Sequence, residues 1–216
     1  MNIQLKSKQQ KGFTIIELIV VILLLGILAA TALPRFLDVT DEAHDAVVDG
    51  LVGGLNTGAA LFRATWVAQG QSVTEDVDGF GLGTLFANSN GYPVGTTTSA
   101  NMTATSCEAI YNGLLQSGRP EAADVTVPFA DIASATAISE DIDTAAGADA
   151  DMQVAAVTIP DAGGYDDAVE CRYYYIGQFR RAPASDATAA TIPLLTLSLT
   201  NGEVTVSDFT YQLPTP

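Results

Sequence analysis

The sequence predicts an α+β protein in which a long N-terminal helix, half suited to a membrane and half amphipathic, packs on an antiparallel β-sheet head. Three observations predict it. Residues 13–33 are apolar apart from one charge, Glu17, and two hydroxyls, Thr14 and Thr31. Apolar or small residues then recur every three or four positions as far as Trp66, the spacing of one helix face. Beyond residue 170 the period changes to two, that of a strand.

The chain divides into residues 1–12, a basic leader; 13–34, a membrane helix; and 35–216, an amphipathic helix with a globular head. As a helix rising about 1.5 Å per residue, the apolar run is about 31 Å long, close to the roughly 30 Å of a bilayer core. Lys6, Lys8 and Lys11 precede it, whereas Arg35 is soon followed by Asp38, Asp41, Glu42, Asp45 and Asp49. That asymmetry keeps the N-terminus in the cytoplasm. A secretory signal would have a shorter core and a small-residue cleavage site behind it, but this run continues through Pro34 into a second helical pattern. A plain single-pass anchor fits the same composition. Glu17 is the anomaly, because a carboxylate in hydrocarbon costs a few kcal/mol and by default marks a functional site. No lysine or arginine lies within the run. Its counter-charge must come from the chain's own amino end or from another molecule.

The second helical pattern places Phe36, Val39, Ala43, Val47, Leu51, Leu55, Gly58, Phe62 and Trp66 on one face, with Asp38, Asp45, Asp49, Asn56 and Arg63 largely off it. Together the two halves predict one helix of about 55 residues, bent at Pro34 where proline removes a hydrogen bond. Gly50, Gly54 and Gly58 form a smooth strip, expected to meet a β-sheet, with a subunit contact as the alternative. Gly70 to Gly83 reads as a loop. Strands are expected at Val125–Val127, Val154–Ile159 and Arg172–Ile176, and a hairpin joins Leu195–Leu199 to Val204–Val206 through a two-residue Asn201-Gly202 turn. The Ala/Asp/Thr-rich stretch between Val127 and Val154 reads as variable surface.

Charge and chemistry narrow the function. From Phe13 onward, six arginines stand against 25 acidic residues, a net of −19, which repels phosphate backbones and argues against nucleic acid as a partner. Cys107 and Cys171 both fall on the non-cytoplasmic side and read as a disulfide, two buried free thiols being the alternative. His44 is the one histidine, expected to be solvated, and cannot alone build a triad or a zinc site. No phosphate-cradling motif occurs, so neither an enzyme nor a cofactor is expected.

Lys11-Gly12-Phe13-Thr14-Ile15-Ile16-Glu17-Leu18, followed by an unbroken apolar helix, resembles the class III signal of type IV prepilins and pseudopilins. The resemblance implies a pilin fold and cleavage between Gly12 and Phe13 by a membrane prepilin peptidase. It also implies methylation of the Phe13 amine, and a role for Glu17 in assembly opposite that amine on a neighbour or on its own chain. Gly26 and Pro34 match positions where family helices are weak and lend flexibility to the fibre. Gly26 to Leu37, Asn90-Gly91-Tyr92-Pro93 and Cys171-Arg172-Tyr173-Tyr174-Tyr175 are similar to mannose-sensitive haemagglutinin pilins. The implied partners are a homo- or hetero-oligomeric filament, the peptidase, and the pilus assembly machinery of the inner membrane. The implied location is the inner membrane before assembly and an extracellular pilus after it. Because related pseudopilins bind calcium in loops, Asp76 and Asp78, and likewise Asp141 and Asp143, are calcium candidates. Neither pair completes a twelve-residue loop with a terminal glutamate.

Overall fold

The computed structural model describes residues 13–80, 85–96, 102–148, 151–159, 169–177 and 189–212, without the side chains of 33–41. In chain order the elements are α1 (Ile15–Ala68), β1 (Phe86–Ala87), β2 (Pro93–Gly95), α2 (Ser106–Leu114), β3 (Ala122–Asp124), α3 (Ala135–Ala148), β4 (Val154–Thr158), β5 (Glu170–Tyr175), β6 (Ala189–Ser198) and β7 (Val204–Gln212). The chain separates into two units, Met1–Ala43 and His44–Pro216.

In the first unit, α1 carries a stretch from Ile15 to Ala32 that is long and apolar enough to cross a membrane. Its side chains from Phe13 to Thr31 are exposed. Thr31, although polar, turns its hydroxyl back to the Ile27 and Leu28 carbonyls at 3.3 and 3.0 Å, so it presents no unsatisfied donor. The helix assignment runs through Pro34, and the expected bend falls among the residues whose side chains lie outside the description.

The second unit is built on a five-stranded sheet of order β3-β4-β5-β6-β7. Four strands are antiparallel, but β3 pairs with β4 in parallel, so the sheet is mixed rather than purely antiparallel. The alternation in β5 sends Cys171, Tyr173 and Tyr175 to one face and Tyr174 to the other. Both faces are buried. On one, Leu51, Leu55, Phe62 and Trp66 of α1 pack with Ile110 and Tyr111 of α2 against Tyr173, Leu195 and Leu197. On the other, Ile138 and Ile142 of α3 cover Tyr174, Ile192 and Tyr211. At roughly 1.5–3 kcal/mol for each large apolar side chain fully buried, these two layers are the main favourable term in folding.

Further expectations need correcting. The strand expected at Val125–Val127 forms earlier, at Ala122–Asp124. The stretch between Val127 and Val154 is not variable surface: it forms α3, whose Ile138 and Ile142 are four apart and therefore share a helix face, here the buried one. The glycine strip of α1 meets a helix end, not the sheet. A side chain at Gly54 would stand 2.5 Å from Leu115, and one at Gly58 would stand 2.9 Å from Leu114, whereas Gly50 faces open space. The hairpin between β6 and β7 closes through Leu199–Gly202 instead of a two-residue turn, since Ser198 N–H bonds the Glu203 carbonyl and Gly202 N–H returns to Ser198. Gly202 alone takes the left-handed conformation, at φ +72°, while the Asn201 carboxamide accepts from Glu203 N–H at 3.0 Å.

Candidate assembly site

The start of α1 holds Glu17 by a local device. Thr14 N–H and the Thr14 hydroxyl both donate to Glu17 Oε2, at 2.9 and 2.8 Å, and Glu17 N–H donates to Thr14 Oγ1 at 3.2 Å. This is a capping box, Thr14 at the N-cap and Glu17 three residues on, satisfying donors that the first turn leaves without partners. The negative carboxylate also suits the positive end of the helix dipole. The Thr-x-x-Glu spacing is a local signal of this cap in the sequence. Phe13, one residue before Thr14, is almost fully exposed. Gly12 lies outside the described residues, so the geometry of the Gly12–Phe13 bond is not described. Gly26 sits well inside α1 with nothing within 4 Å of where a side chain would begin. Its glycine loosens the helix by roughly 1 kcal/mol relative to alanine.

In the head, Cys107 of α2 and Cys171 of β5 form a disulfide, with Cα atoms 5.4 Å apart. The two free thiols are thus excluded. The bridge has polar supports: Tyr173 hydroxyl donates to the Cys107 carbonyl at 3.0 Å, and Cys107 N–H donates to Thr158 Oγ1 at 3.0 Å. Thr158 in turn donates to the Ala104 carbonyl, which explains a buried hydroxyl on β4. Burial pushes the hydroxyls of Tyr111 and Tyr173 well above the usual tyrosine range, so both remain protonated donors.

His44 is not a solvated side chain, as expected from the acidic sequence around it, but is half-buried against Tyr175, its ring nitrogen 2.7 Å from the tyrosine hydroxyl. The pairing across 131 residues has no local signal in the sequence. Asp76 makes a backbone bridge to Phe86, and Asp78 N–H is taken by the Gln69 side chain, so local chain closure accounts for both positions. Asp141 and Asp143 are two apart on α3 and do not converge; Asp143 instead accepts from the Tyr211 hydroxyl. Among the described residues, no three His, Cys, Asp or Glu side chains come together as a metal site.

One further cluster was not foreseen. Asn88 organises the turn between β1 and β2, its carboxamide oxygen accepting from Asn90 and Tyr92 N–H at 3.0 Å each. Its amide donates to the Leu199 carbonyl at 2.7 Å, tying that turn to the β6–β7 connection. Gly91, at φ +84°, packs against the Trp66 ring, and Arg63 of α1 lies 5.4 Å over the Tyr92 ring while donating to the Asn90 carbonyl.

A family model described as the prokaryotic N-terminal methylation motif matches residues 7–33. The type IV narrow pilus major component of Thermus thermophilus is 40% identical over 102 residues, which cover 46% of this chain and 79% of that protein. Fimbrial protein Q of Moraxella bovis is 39% identical over 77 residues, 35% of this chain and 49% of that protein. The type II secretion system core protein G of Pseudomonas aeruginosa is 34% identical over 59 residues, 27% of this chain and 42% of that protein. The chain thus spans about half or less of the last two. No solved structure matches.

Proposed function

The chain belongs to the type IV pilin family, and from that premise we propose that it is a structural subunit, major or minor, of an extracellular type IV pilus serving adhesion, attachment or motility. The observation that carries this reading is a carboxylate held at the first turn of a helix whose apolar side chains from Ile15 to Leu28 are uncovered. Such a helix needs either lipid or other helices around it. In a lone anchor the Thr14 cap would be all that offsets the cost of keeping a charge in hydrocarbon.

In this reading the chain rests in the inner membrane with its N-terminus in the cytoplasm. Prepilin peptidase cuts between Gly12 and Phe13, removing the lysine-bearing leader, and the new Phe13 amine is methylated. The ammonium so created and the Glu17 carboxylate of a neighbouring subunit are each costly if left alone in a low-dielectric fibre core. Subunits enter in the register that pairs them. The pair selects position more than it adds affinity. Gly26 and Pro34 bound a weak stretch of α1 that lets the fibre extend under load. The segments around Pro34, Tyr92 and Cys171 support the finer reading of a haemagglutinin-type pilus.

Glu17→Ala tests the mechanism. The variant should accumulate in the membrane while surface fibres fall sharply, and normal fibre numbers would show that the carboxylate does not drive assembly. Mass spectrometry of sheared fibres should find a chain beginning at methylated Phe13. A similarity to core protein G favours a second reading, a short pseudopilus of a type II secretion system. Deleting the chain's gene separates the two: lost surface fibres support a pilus, and lost export of folded proteins with fibres unaffected supports the pseudopilus.

A further inference from the structure

We propose that the exposed flank of α1 at the edge of its own head docks a second copy of this chain, with Arg63 of one copy paired to Asp45 and Asp49 of the other. This rests on the filament reading above. Leu51, Leu55, Phe62 and Trp66 face inward to the core, and a flank of the helix beside that face, along the edge of the head, is open. Asp45, Asp49, Asn56, Ala60, Arg63 and Val67 are exposed there. The flank is one continuous band, because Asp45 and Arg63 are separated by eighteen residues, about five turns at 3.6 residues per turn, and so point the same way.

Charge picks the occupant. From His44 to Leu61 the helix carries Asp45 and Asp49 and no lysine or arginine, and Arg63 is the first cation beyond them. Among the described residues the one salt bridge joins Arg172 to Glu170, so Arg63, Asp45 and Asp49 have no ionic partner there. Arg63 is nevertheless held in place, by the Asn90 carbonyl and the Tyr92 face, at the rim of an open groove of about 720 Å³ that Ala60, Ala64, Val67 and Asn201 also line. Ala60 and Ala64 keep the helix side of the groove low, which lets another helix approach. In a fibre of parallel copies shifted along one axis, the lower turns of one α1 pass the upper turns of another. Arg63 meets Asp49 or Asp45 at an axial shift of about 21 to 27 Å, from fourteen or eighteen residues at 1.5 Å each. An arginine facing other helices needs such a counter-charge once water is displaced.

The test uses the full chain in its own assembly system. Arg63→Glu should reduce surface fibre by about tenfold or more, since like charges facing across an interface are strongly unfavourable. Adding Asp45→Arg and Asp49→Arg to it should restore fibres. In fibres assembled from equal parts of a chain carrying Arg63→Cys and a chain carrying Asp45→Cys, mild oxidation should give disulfide-linked dimers. Full fibre from Arg63→Glu, no recovery in the triple variant, or only monomers in the cysteine experiment would each overturn the pairing. If the unaltered chain forms no fibre at all, the filament reading itself fails, and the two failures are told apart.

Discussion

At the residue scale, the head contains acids whose environment reverses the usual effect of acid on stability. Burial holds the carboxyl groups of Asp124 and Asp143 above the ordinary aspartate value, Asp143 in spite of the Tyr211 hydroxyl that donates to it. Asp141 is raised too, by burial first and then by repulsion from Asp131 and Glu140. A folded state that binds these protons more tightly than the unfolded chain is most favoured below the ordinary aspartate value, and loses that advantage as pH rises through the folded values. The thermal midpoint should therefore climb as pH falls from neutrality toward the carboxylate range, and Asp143→Asn should flatten the climb; a midpoint that falls throughout would show that other groups dominate. A second single-residue prediction concerns Gly91. An alanine there would put its Cβ 2.4 Å from the Trp66 ring at a backbone angle of +84°. The left-handed conformation alone costs a residue with a side chain roughly 1–2 kcal/mol, and displacing Trp66 adds to it. Gly91→Ala should lower the free energy of unfolding by at least that amount, measured by urea unfolding.

At the element scale, what the sequence revealed and what it hid divide by range. The 54-residue α1 was legible because its signal is periodic and local, and so was β5, where Tyr173 and Tyr175 alternate with Tyr174. The Thr14–Glu17 cap is also local. By contrast, α3 was missed because alanine, aspartate and threonine dilute its apolar face to Ile138 and Ile142, and the parallel β3–β4 pair was missed because a three-residue strand has no period to read. His44 with Tyr175, and Gly58 with Leu114, are contacts between distant segments that no window of sequence contains. The importance of α3 can be tested directly. Ile142→Ala removes a fully buried side chain from the second core and should cost about 2–5 kcal/mol; a loss near zero would mean that α3 merely rests on the sheet. The disulfide staples the other layer. Replacing Cys107 and Cys171 together with alanine frees a loop of sequence separation 64 and should cost on the order of 4 kcal/mol in the chain-entropy model.

At the scale of the whole molecule, the two units carry different tasks, and their surfaces say so. From Phe13 to Thr31 the first unit displays an apolar surface with no cover of its own. The second unit contains both hydrophobic clusters, the disulfide and the five-stranded sheet. Four arginines beyond Arg63 and most of the 25 acids fall in it, so in isolation its copies repel one another. A chain beginning at His44 keeps every buried residue of both clusters, because the earliest of them is Val48. It should fold by itself, form the Cys107–Cys171 bridge under oxidising conditions, unfold cooperatively, and sediment as a monomer at low and moderate salt. Raising the salt screens the repulsion, yet with the apolar helix gone the pairing of Arg63 with two aspartates is too small and too exposed to hold copies together. Fibres from the shortened chain, or stable oligomers in dilute solution, would mean that the head drives assembly and that the apolar helix only anchors it.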